Sequence, residues 1–134
     1  MKTILKTISI IIFISMFILS CSKNEHGGID SKYAGTYKGD ATIKTLSGVT
    51  MCTGTFNVNS DGSVKGNLFN ENYKKSYTVS KSNLEKQSDN KYTAKQNLGC
   101  YIINYIFTFD GNNMSVNIED INEGSTTEGT FIKE

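Results

Sequence analysis

The side chains best equipped for chemistry in this chain are three cysteines, a single histidine and a late group of carboxylates. A hydrolytic Ser or Cys needs a poised base beside it. The one histidine, His26, stands in a polar stretch ahead of the first patterned segment, where no scaffold holds it. Glu119, Asp120, Glu123 and Glu128 are the acids from which a glycosidase pair would be drawn. They fall near turns and strand ends, the usual place of a solvated rim. The chain has no glycine-rich phosphate loop, nucleophile elbow or zinc spacing. Cys52, Cys100 and a distant His26 also fall short of the four ligands that zinc prefers. The expectation is therefore a protein that is not an enzyme and has no cofactor and no metal site.

The first 20 residues read as an export signal. Lys2 and Lys6 give a positive start, residues 7–19 form a 13-residue apolar run, and Ser20 is a small residue before Cys21. A permanent membrane span needs about 20 apolar residues, more than this run offers. Ile18-Leu19-Ser20-Cys21 resembles the lipobox of bacterial lipoproteins. That resemblance implies cleavage before Cys21 and acylation of Cys21, with more than one acyl chain, as stable anchoring requires. Residues 21–31 then read as a polar, flexible tether. Ser22, where Asp would signal inner-membrane retention, implies an outer-membrane lipoprotein. Ser22-Lys23-Asn24-Glu25 resembles the surface-export signal of Bacteroidota lipoproteins, departing from it at Asn24. A periplasmic and a surface-exposed location both stay open.

All 14 basic residues are Lys, and 12 of them follow the signal, against 13 Asp and Glu. A nucleic-acid partner would call for a basic stripe that this balance does not supply. With Cys21 assigned to lipid, Cys52 and Cys100 remain as an even pair in an exported protein, where such pairs usually bridge. A Cys52–Cys100 disulfide is the expectation, worth about 3–4 kcal/mol by loop entropy. The alternative is two buried thiols.

The elements that position these residues read as β throughout, over a domain expected at 32–134. Period-2 alternation places Tyr33, Gly35, Tyr37, Gly39, Ala41 and Ile43 on one face of a first strand. Cys52, Gly54, Phe56 and Val58 share a face of the second; Val64, Gly66 and Leu68 follow the Ser60-Asp61-Gly62 turn. Tyr73, Lys75, Tyr77 and Val79 make another face, whereas 82–90 is polar and reads as a loop or a weak strand. Tyr92, Ala94 and Gln96 come next, and 100–109 is apolar on both faces. Asp110-Gly111-Asn112-Asn113 predicts a hairpin turn into Met114, Val116 and Ile118, and a last strand carries Phe131. About eight short strands in sequence predict an all-β, antiparallel up-and-down barrel, with a sandwich as the alternative.

Ala34-Gly35-Thr36-Tyr37-Lys38-Gly39 resembles the Gly-Thr-Tyr opening of calycin-like, lipocalin-like β-barrel lipoproteins of Bacteroidota. It is also similar to the Gly-x-Trp opening of lipocalins, with Tyr37 in place of Trp. The resemblance implies the barrel and leaves the activity unassigned. Two functions remain. One is a barrel that binds a small apolar or amphipathic ligand, in a cavity lined by Tyr37, Phe56, Tyr77 and Phe107. The other is an envelope inhibitor or immunity-type protein with a filled core and an exposed aromatic patch, in which Tyr101 and Tyr105 would contact a partner.

Overall fold

The computed structural model describes residues 27–134. The expected export signal, Cys21 and His26 lie outside the described residues. Nine strands follow one another: β1 (Gly35–Thr45), β2 (Gly48–Val58), β3 (Val64–Asn70), β4 (Tyr73–Val79), β5 (Leu84–Ser88), β6 (Lys91–Leu98), β7 (Tyr101–Asp110), β8 (Asn113–Asp120) and β9 (Ser125–Lys133). All lie in one antiparallel sheet of order β4-β3-β2-β1-β9-β8-β7-β6-β5, so the last strand returns to pair with the first. The sheet curls into an up-and-down half-barrel, and the sandwich alternative falls because the sheet is continuous.

The expected eight strands become nine because the polar run 82–90 contains β5. Its signal is faint: Leu84 is its one apolar residue and is 1% exposed, while Glu85 to Ser88 all face solvent. An odd number of alternating strands has a topological consequence. The two edge strands, β4 and β5, point the same way along the barrel, and no backbone ladder joins them.

Inward positions follow the expected alternation. Tyr37, Ala41 and Ile43 on β1, Cys52, Phe56 and Val58 on β2, and Tyr105, Phe107 and Phe109 on β7 are all buried. Strong curvature comes from close backbone approach at inward glycines. Gly39 lies in register with Gly54, and a Cβ on Gly39 would sit 2.2 Å from the Thr130 carbonyl oxygen. The core fills in aromatic layers. At the base Tyr33 stacks on Phe109 at 4.2 Å, with Tyr37 and Tyr92 meeting the same ring edge-on at 5.9 and 6.0 Å. Above them Phe56 packs against Phe131 at 4.8 Å and Phe107 at 6.5 Å.

Part of the stretch expected as tether is built into this base. Ile29 is 2% exposed, and its N–H donates to the Gly62 carbonyl at 2.9 Å. Gly28 lies so close that a Cβ there would come within 2.7 Å of the same oxygen. The packed domain thus begins ahead of residue 32. Of the apolar second face of β7, Ile102 and Asn104 are half-buried and Ile106 is 37% exposed, so no loop seals it.

Candidate functional site

Register fixes which turns share an end. The base holds the N-terminal segment and the turns after β2 and β7. The opposite end, the mouth, holds the turns after β1, β3, β6 and β8. The inward face of β4 climbs from Val79 at the base through Tyr77 to Lys75 and Tyr73 at the mouth. Lys75 Nζ donates to Glu123 Oε2 at 3.2 Å and to Asp120 Oδ2 at 3.4 Å. The Glu123 N–H in turn donates to Asp120 Oδ1 at 3.1 Å, so the turn after β8 is organised to hold both acids toward the lysine.

Beneath this cluster the aromatic rings close ranks. The Tyr77 and Tyr105 rings meet edge to face at 6.2 Å, and the ammonium of Lys75 lies 5.5 Å from the Tyr77 ring centre. Burial pushes the Tyr105 phenol up to about 12, with Lys75 opposing and Asp120 adding to the shift. Burial raises the Tyr77 phenol too, against the pull of Lys75. For Lys75 burial works the other way, but Tyr77 and the Glu123 carboxylate outweigh it and hold its pKa above the ordinary lysine value. The phenols are neutral and the lysine charged at neutral pH.

A second feature rings the same end. Leu46, Val49, Met51, Phe69, Leu98, Tyr101 and Ile121 all lie toward the mouth, and they are seven of the nine large hydrophobic residues exposed in the described region. Lone exposed apolar side chains are ordinary, whereas a concentration of them marks a contact surface. On the outer wall of β2 and β3, Met51 and Phe69 border an open groove of about 640 Å³, with Asp40 and Glu71 also lining it and Cys52 contributing from below. Thr42 Oγ1 donates to the Met51 sulfur at 3.3 Å and steadies that side chain.

The sequence-derived candidates separate into three groups. Tyr37, Phe56 and Phe107 are 0–1% exposed and packed on other rings. Tyr77 and Tyr105 meet beneath Lys75, and Tyr101 stands on the rim, 48% exposed. Cys52 and Cys100 correct the expected disulfide: both are free. Cys52 points into the core from β2, where burial raises its thiol pKa, while Cys100 is exposed in the Gly99-Cys100 turn. Of the acids expected on a solvated rim, Asp120 is instead 3% exposed. Among the described residues no three His, Cys, Asp or Glu side chains gather as a metal set.

Lys75, Met51 and Phe69 were not singled out by their chemistry, though the pattern carried a signal for each. Lys75 is the one charge on an inward face otherwise made of Tyr73, Tyr77 and Val79, and Met51 and Phe69 are apolar residues at outward positions of polar strands.

No protein-family model matches the chain, and no curated protein resembles it. Among solved structures it is similar to a redesigned β-barrel, with 13% identity and a TM-score of 0.51 over 82% of this chain and 99% of that one. At that identity the likeness speaks to the barrel fold alone.

Proposed function

We propose that this chain is a lipid-anchored envelope protein, without enzymatic activity, that docks a protein partner through the apolar surface at its mouth. The finer family reading, a calycin-like barrel lipoprotein of the Bacteroidota type anchored at Cys21, rests on the lipobox and the Gly-Thr-Tyr opening. The observation that carries the docking reading is the gathering of Leu46, Val49, Met51, Phe69, Leu98, Tyr101 and Ile121 at one end.

The N-terminal segment joins the barrel at the other end, beside Gly62. The eight residue steps from Cys21 to Ile29 span at most about 29 Å when fully extended. Strands β1 and β2, of 11 residues each, stand about 28 Å tall at an ordinary barrel tilt. An anchor at Cys21 attaches at the end opposite the mouth, and a fully extended tether does no more than match the barrel height, which supports protein rather than lipid as the occupant of the mouth. Asp40 and Glu71 on the Met51–Phe69 groove favour an apolar contact segment flanked by Lys or Arg.

A carrier of a small amphipathic ligand is the second reading, favoured by the Lys75, Tyr77 and Tyr105 set. It demands displacement of packed aromatic rings, and on that ground the docking reading is preferred. A photo-crosslinking side chain at position 69 in cells of the native host tests the choice. A discrete protein adduct is expected from 69, lost on Met51→Ser, and none from position 65 near the base. No adduct from 69, or equal adducts from both, overturns the docking reading.

A further inference from the structure

The seam between β4 and the β5–β6 edge has no backbone ladder: the short 80–83 connection links the two edges, and side chains close the rest. β4 is paired on one side by β3, through register pairs running from Val64–Val79 to Asn70–Tyr73, and its other edge has no ladder. Three contacts cross the gap. Lys75 reaches Asp120 and Glu123, although four strands separate β4 from β8 in the sheet order. Tyr77 meets Tyr105. The Gln96 side chain of β6 does what a ladder would do: its Nε2 donates to the Thr78 carbonyl of β4, and its Oε1 accepts from the Tyr105 hydroxyl at 2.8 Å.

From this arrangement we infer that β4 is a hinged flap, latched across the mouth by Lys75 and braced by Gln96, which opens on β3 while the rest of the sheet stays paired. The hinge is local in energy as well as in space. Opening frays the β3–β4 ladder alone, and it releases two ion pairs, one amide brace, the Tyr77–Tyr105 ring contact and the burial of Tyr77 and Val79. An edge strand joined by a single ladder opens below the global unfolding free energy. The latch lysine suits the task, because a charge half out of water is held by two acids of which one, Glu123, is itself 53% exposed and easily rehydrated. What opening uncovers is an interior surface of both polar and apolar character, the Tyr77 and Tyr105 phenols above the Phe107 ring. The flap is inferred independently of the docking surface, which lies on the outer wall and the turn tips.

Hydrogen exchange of the full-length chain in detergent micelles tests the flap strand by strand, with β5 as the comparison because it is also an edge strand but carries no latch. Lys75→Met keeps the apolar stem and removes the charge. It should speed exchange in 73–79 by about tenfold while leaving β1, β9 and β5 unchanged. Glu123→Gln, at an exposed turn position that threatens no folding, should move the same strand in the same direction by less, and it decides the matter alone if Lys75→Met does not fold. Unchanged exchange in β4, or acceleration of every strand by one common factor, overturns the flap.

Discussion

Gly39 shows how narrowly the barrel's curvature is specified at single residues. An alanine there would drive its Cβ to 2.2 Å from the Thr130 carbonyl oxygen, which belongs to backbone paired with β1 and cannot swing aside. Overpacking of this kind costs about 1–3 kcal/mol, and Gly39→Ala should lower the urea midpoint accordingly; an unchanged midpoint would contradict the close approach. The two described cysteines make a second residue-scale prediction. A maleimide should label Cys100 rapidly in the folded protein and reach Cys52 on unfolding alone, since one thiol is exposed and the other buried with a raised pKa. Equal labelling rates would put Cys52 at the surface. The expected bridge failed for a physical reason that sequence spacing does not carry. Being on or beside a strand leaves open which face a cysteine takes, and Cys100 occupies a turn tip instead of the inward row that holds Cys52.

At the scale of elements, period-2 alternation made most strands legible, because each inward row meets one continuous core. Tyr37, Ala41 and Ile43, or Tyr105, Phe107 and Phe109, are buried as the pattern predicts. The pattern weakens where a strand has one wet edge and a single anchor, so β5, with Leu84 as its one buried residue, reads as loop or weak strand. Long-range partnerships were illegible for a different reason. Alternation puts Lys75 on an inward face, but its partner Asp120 is 45 residues away, and nothing local records which strand curls opposite. The segment ahead of β1 was misjudged because Gly27-Gly28 looks like a linker, whereas Gly28 is required for contact with Gly62. Ile29→Ala should therefore cost about 2–4 kcal/mol, as for a buried aliphatic truncation, read from chemical denaturation. A loss near zero would return the segment to tether.

For the whole molecule, buried tyrosines tie stability to alkaline pH. Tyr105 titrates at about 12 when folded against an ordinary 10.0, and burial raises Tyr37, Tyr77 and Tyr92 as well. A raised acid holds its proton longer in the folded state. Above about pH 10 the unfolded chain binds fewer protons than the folded one, so stability is intact below that value and falls as pH rises toward 12. The urea midpoint should decline over that window in step with phenolate absorbance; a flat profile would mean that the phenols are hydrated. Acid-side behaviour should be milder, since Asp30, whose carboxyl is held low first by its Lys86 hydrogen bond, is a half-exposed surface pair at the base.

The proposed docking role holds that the barrel interior is filled and that binding takes place on its outside. Native mass spectrometry of the full-length protein, released gently from its own envelope, tests that claim most directly. The expected result is the chain with its covalent acyl mass, either alone or with a stoichiometric protein companion. A reproducible additional adduct of small-molecule mass, retained by the protein and lost on unfolding, would contradict it and place the function inside the barrel.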